Sequence, residues 1–235
     1  MSAADALRQV VTITAFESRR KVLSWRLLFP MACAAIICAL AWNTGSGEMG
    51  GLYGTEAAIA LLRPFVASAS LVLAIAATVL STESLSEEFE RGSGYITFTK
   101  PLSRHVLFTG KFISGFLTSQ IVLVFYYAVT FAVCAVVAGD VPARAYAAVP
   151  LALLYLFAVT GVCTLFSALA PRGSMAMMVA FLLMVVLQIF MQNVGFESEP
   201  WYSLGYESGI LGDYVLGNQT VFTETEGLLS TDDYV

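Results

Sequence analysis

Five apolar runs decide what this chain can fold into. They are Leu27–Trp42, Ala57–Leu80, Phe112–Ala138, Ala147–Ala170 and Met175–Val194, together nearly half of the 235 residues. Helices rise about 1.5 Å per residue, so ~20 residues cross the ~30 Å hydrocarbon core of a bilayer. Four runs reach that length. The first falls short, but Val22, Leu23 and Trp25 can extend it while Arg26 snorkels to the interface. Charged residues make up only 12% of the chain, and the mean hydropathy is +0.77. A soluble domain carries about 25% charged residues, and a soluble core of this size cannot hide so much apolar surface. Lipid is therefore the solvent for much of the chain. Isolated strands would leave backbone groups unpaired there, so the runs must be helices. The expected fold is an all-α polytopic transmembrane bundle with five visible spans.

The balance of twelve Lys and Arg against seventeen Asp and Glu gives a net charge of −5 with no basic patch, so nucleic acid is not an expected partner. Cys33, Cys38, Cys134 and Cys163 all fall in apolar runs without a C-x-x-C spacing and read as small buried residues. No small-residue cleavage site closes the first run, which argues against a signal peptide.

Ten of the twelve basic residues lie in segments 1–26, 81–111 and 171–174; only Arg63 and Arg144 lie elsewhere. Positive loops stay inside, so the N-terminus is expected in the cytoplasm. Segment 1–26 reads as a cytoplasmic interfacial helix, with Leu7, Val10, Ile13 and Phe16 at near-helical spacing. Residues 27–194 form the transmembrane domain, with its longest cytoplasmic loop at 81–111. Segment 195–235 carries eight acidic residues and no basic one, and is expected outside. Within it, Asn218-Gln219-Thr220 fits the glycosylation acceptor pattern. Pro30 and Pro64 are expected to kink or start their helices. Arg63 has two readings, an interface residue that snorkels or a polar contact in a translocation path. Gln188 and Gln192 share a face at i,i+4, a placement more often used for interhelical hydrogen bonds than for catalysis.

Little here supports catalysis. Gly110-Lys111-Phe112 lacks the rest of a phosphate-binding loop, so any nucleotide energy must come from another chain. His105 is the only histidine, which excludes a two-His metal motif, and it sits at a cytoplasmic edge, wrong for a Ser–His pair within the membrane. No metal site is expected. The informative region is 81–112. Leu85 and Phe89 share a helix face, Glu87 precedes Arg91 by four, and Gly92 offers a helix stop. Tyr95, Ile96 and Phe98 form an apolar cluster, Lys100-Pro101 forces a turn, and Ser103 can cap the next helix. Together these describe a compact cytoplasmic knob with exposed aromatics, shaped to enter a groove on a partner. An ordinary solvated loop is the plainer alternative.

The run Glu87-Glu88-Phe89-Glu90-Arg91-Gly92-Ser93-Gly94, then Lys100-Pro101-Leu102-Ser103-Arg104 and Gly110-Lys111, resembles the signature of type-2, exporter-like ABC transporter permeases. That family reads acidic–acidic–x–x–x–Gly–Thr/Ser, then Lys/Arg–Pro–x–Ser–Arg, then Gly-Lys at the third span; Ser93 stands where Thr is commoner. Phe16-Glu17-Ser18-Arg19-Arg20 also resembles the family's leading helix. The resemblance, over about residues 5–195, implies a permease exporting a solute or lipid from a prokaryotic, bacterial or archaeal, plasma membrane. It implies a second permease copy or homologue as dimer partner, membrane lipid around both, and a separate ABC ATP-binding subunit that holds ATP and Mg²⁺; this chain itself holds no cofactor. The docking surface it implies comprises Glu87, Glu88, Phe89, Arg91, Gly92, Tyr95, Phe98, Lys100, Pro101 and Arg104. It also implies six spans, so a sixth is expected beyond Val235. A non-transporting membrane scaffold is the alternative function.

Overall fold

A computed structural model of the chain describes residues 3–48, 55–82, 103–139, 141–170 and 172–193. Among these residues all regular structure is helical: α1 (Ala3–Val22), α2 (Trp25–Glu48), α3 (Thr55–Ser81), α4 (Arg104–Val137), α5 (Ala143–Leu169) and α6 (Gly173–Asn193). Four helices are long and apolar enough to cross a membrane, at Trp25–Gly47, Ala57–Ser81, His105–Val137 and Ala148–Leu169, and α6 contributes a shorter apolar stretch, Gly173–Met184. The fold is thus a polytopic helical bundle.

The central helix is α3, which packs against α2, α4, α5 and α6. Its span is 56% buried, against 28% for α2. Small residues make this possible: Ala58, Ala69, Ala74, Ala76 and Ala77 are buried on it and let neighbouring helices approach. Around α3 the outer helices turn large apolar side chains outward, among them Leu40, Val124, Leu154 and Met178. Such faces are stable only against lipid tails or another apolar surface.

Helices extend beyond the apolar runs. α2 continues past Trp42 to Glu48, and there Thr44 donates to the Leu40 carbonyl at 3.0 Å and Ser46 to the Asn43 carbonyl at 3.1 Å. α4 starts at Arg104, capped by Ser103, whose Oγ accepts from the Val106 N–H. At ~1.5 Å per residue its 34 residues reach about 50 Å, well beyond the hydrocarbon core. It ends at Ala138, whose N–H bonds to the Cys134 carbonyl; Gly139 then turns the chain at φ +77°, a conformation glycine adopts freely.

Pro30 and Pro64 both lie inside their helices, as does Pro150 in α5. Pro64 cannot donate the N–H that the helix ladder requires. Just beyond it, side chains reach carbonyls of the same turn: Ser68 Oγ donates to the Pro64 carbonyl at 2.7 Å, and Tyr126 of α4 donates to the Phe65 carbonyl at 2.6 Å. α2 approaches closely here too, since a Cβ at Gly45 would lie 3.0 Å from the Leu61 carbonyl oxygen.

Candidate functional site

The segment 83–102, which carries the predicted docking knob, lies between the end of α3 and the start of α4. Glu87, Glu88, Phe89, Arg91, Gly92, Tyr95, Phe98, Lys100 and Pro101 are outside the described residues, as is Asn218. Arg104 opens α4, and Gln188 and Gln192 fall on α6. Arg63 is exposed on α3, nine residues into the helix, and is not drawn into the polar base described next. What the structure does define is the base from which the knob emerges.

That base is polar, buried and tightly packed. Ser81 and Thr82 close α3 fully buried, and Lys111, Ser114, Thr118 and Ser119 in the first half of α4 are at most 2% exposed. Thr160, Thr164 and Ser167 of α5 complete the layer. Several of the hydroxyls donate to carbonyls three or four residues back in their own helix: Thr78 to Ala74, Thr118 to Ser114, Thr160 to Leu156, and Thr82 to Thr78. Back-bonding of this kind lets hydroxyls sit in an apolar medium without stranding a polar group.

The two helices flanking the segment meet at Gly115. A Cβ there would stand 2.7 Å from Ser81 Oγ and 3.2 Å from Ser81 Cβ, so only glycine allows this approach. α5 is held at the same level by rings: Phe157 meets Phe112 and Phe116 edge-on, with centroids 5.2 Å and 5.4 Å apart. Thr78 Oγ1 lies 3.8 Å from Cys163 Sγ, tying α3 to α5.

α1 adds a third brace. Thr14 donates to the Gly110 carbonyl at 3.2 Å, and Ser18 Oγ lies 3.2 Å from Ser114 Oγ. Both contacts join residues 96 positions apart, so α1 runs parallel to the first turns of α4. Gly110 permits this as well, since a Cβ there would be 2.9 Å from Ile13 Cγ2. The buried face of α1 is Thr14, Glu17 and Lys21, with Val10 and Ile13 half-buried beside it, while Leu7 and Phe16 point away. The partner surface is a carbonyl, a hydroxyl and a glycine, and it selects small and hydrogen-bonding residues. Arg20 Nη2 stands 3.2 Å from Glu17 Oε2 and partly balances that buried carboxylate.

Sequence reasoning missed Gly115, Ser81 and the buried roles of Glu17, Lys21 and Lys111. Their only local signal is small and polar residues interrupting bulky apolar runs, as in Ser114-Gly115 and Ser81-Thr82. Among the described residues no group of three or more His, Cys, Asp or Glu could hold a metal ion, and all four cysteines are free thiols. What the described residues form is a rigid junction of four helices at the root of one loop.

No curated protein matches the chain. Residues 5–207, nearly the whole described region and the segment 83–102 with it, match the family described as ABC-2 family transporter protein. With a helical bundle built to span lipid and that match over most of its length, the chain belongs to the ABC-2 family of transporter proteins, as a membrane permease component.

Proposed function

We propose that this chain is the permease of an ATP-driven exporter of a solute or lipid. A separate ATP-binding subunit, holding ATP and Mg²⁺, docks on the loop between α3 and α4. A second permease, identical or homologous, completes the pathway. The loop faces the cytoplasm of a prokaryotic cell, in keeping with the ten basic residues gathered in segments 1–26, 81–111 and 171–174.

One observation carries the reading: the root of that loop is braced by four helices. α3 and α4 touch through Gly115 and Ser81, and α1 and α5 are fastened on either side. A push delivered to the loop moves four helices as one body, because closely packed interiors transmit displacement instead of absorbing it. A solvated loop with no mechanical task has no need of such a root.

The test is reconstitution with the co-expressed ATP-binding subunit. Phe98→Asp and Arg104→Glu should each lower co-purification of that subunit and uncouple ATP hydrolysis from transport, with helix content unchanged by circular dichroism. Full coupling in both variants would overturn the docking assignment. A stable complex whose hydrolysis never responds to solute or lipid favours the scaffold function instead.

A further inference from the structure

Two prolines and four aromatic rings lie together across the bundle, away from the root of the loop. Pro64 in α3 cannot donate to the Ala60 carbonyl, and Pro150 in α5 cannot donate to the Tyr146 carbonyl. α3 and α5 therefore each have a turn that lacks a ladder bond and bends more readily than its neighbours. Contacts with α4 set the heights of these turns. Tyr126 meets α3 through its hydroxyl at Phe65, next to Pro64. Phe131, five residues further along α4, meets α5 at Tyr146. α5 runs antiparallel to α4, since Phe157 packs on Phe112 and Phe116 at its other end. Pro150 is four residues back from Tyr146, so at ~1.5 Å per residue it falls within about one turn of the height of Pro64.

The rings form a chain between the two turns. Centroids of Tyr126 and Tyr127 are 6.0 Å apart, those of Tyr127 and Phe131 5.7 Å, and those of Phe131 and Tyr146 5.1 Å. The first ring is pinned: Tyr126 donates to the Phe65 carbonyl, and its oxygen lies 2.9 Å from Ser68 Oγ. Tyr127 is not pinned in this way. Its hydroxyl is buried with no hydrogen-bond partner among the described residues, so packing alone positions the ring. α4 is a continuous bar at this height, with no glycine or proline between Gly115 and Gly139. Rings packed against such a bar pass a displacement on, because dense interiors leave little room to absorb it.

We propose that α3 and α5 bend in concert at Pro64 and Pro150, coupled through the chain Tyr126–Tyr127–Phe131–Tyr146. Their ends away from the loop swing together while the braced root stays rigid. α2 follows at its far end, where Gly45 packs against Leu61 and Pro64. The hinge belongs to the bundle itself. It is independent of whether the chain exports anything, and its test needs no ATP-binding subunit.

The measurement uses the full chain in lipid nanodiscs, with the four native cysteines replaced. Spin labels are placed at position 136 on α4, where Val136 is 84% exposed, and at the first residue of α3 (Thr55) or of α5 (Ala143). Distances are read by double electron–electron resonance, with helix content checked by far-ultraviolet circular dichroism. Position 55 stands nine residues from Pro64, a lever of about 13 Å, so removing a kink of ~20° moves it by about 4 Å. Pro64→Ala should shift the 55–136 distance by that order, and the 143–136 distance with it by about 2–3 Å, given the shorter lever above Pro150. Pro150→Ala should in turn shift the 55–136 distance, since coupling of this kind is reciprocal. Phe131→Ala, which cuts the chain, should abolish both cross-helix shifts and leave the shift within each helix. Tyr127→Phe keeps the ring, loses only the hydroxyl and should preserve them. A 143–136 distance that ignores Pro64→Ala, cross-helix shifts that survive Phe131→Ala, or their loss in Tyr127→Phe would each overturn the proposal. An unmoved 55–136 distance in Pro64→Ala would do so as well, by showing no bend at Pro64.

Discussion

Replacing Gly115 by valine should loosen the root of the loop, and its cost can be set against a matched control. Any β-carbon at position 115 enters space held by Ser81. The hydroxyl, 2.7 Å away, can rotate aside, but Ser81 Cβ at 3.2 Å and Cα at 3.4 Å cannot. Valine adds two γ-carbons beyond that, so α3 and α4 must separate. Forced overpacking of this kind costs about 1–3 kcal/mol. Valine has slightly better helix propensity than glycine and returns only a few tenths of a kcal/mol. Gly47 supplies the control, because a Cβ there meets nothing within 4 Å. Gly47→Val should therefore be neutral within about 0.5 kcal/mol, the usual range for substitutions away from packed features. The assay is equilibrium unfolding in mixed micelles with increasing SDS, followed by far-ultraviolet circular dichroism. Ser81→Gly combined with Gly115→Val should recover at least about 1 kcal/mol relative to the sum of the single effects, since residues in direct contact couple by that order. The reasoning fails if Gly115→Val is as stable as Gly47→Val, or if the double substitution is simply additive.

Two further outcomes follow from other contacts. In a background with the four native cysteines replaced, Ser18→Cys with Ser114→Cys should cross-link on mild oxidation, because the native hydroxyls stand 3.2 Å apart; Leu7→Cys, exposed and about three turns before Ser18 on α1, should not cross-link to position 114. Tyr126→Phe removes the donor to the Phe65 carbonyl and the contact with Ser68, and should lower unfolding stability by about 0.5–1.5 kcal/mol, the range found for interhelical hydrogen bonds in membranes. A change below 0.2 kcal/mol would mean that this bond is replaced by another when lost.

Four of the five spans were legible in the sequence because hydrocarbon thickness imposes a length that few soluble helices satisfy; the fifth run falls on α6, whose described apolar stretch is the shorter Gly173–Met184. Their limits were less so. The run at Leu27–Trp42 underestimates α2, because the helix runs on to Glu48 through polar residues that hydropathy rejects, with Thr44 and Ser46 folding their hydroxyls back onto its own carbonyls. The start of α4 was legible through Ser103, as a cap is a local signal. The face of α1 that meets α4 was not legible, because periodicity picks out apolar residues and α4 presents a carbonyl and a hydroxyl here. The braced root was not legible, since it depends on Ser81 meeting Gly115 across a segment whose path local sequence does not reveal. Arg63 was singled out for its charge; the structure leaves it exposed on α3 and away from that root.

The parallel pairing of α1 with α4 also governs how the protein can be made. Glu17 and Lys21 are shielded only when a partner 96 positions later in the chain has arrived. At roughly 5–20 residues per second that is a wait of about 5–20 s during synthesis, with α2 and α3 already emerging. Through that interval the first helix must keep its charges hydrated at the membrane edge, so its final seating is a late event in biogenesis although it is translated first.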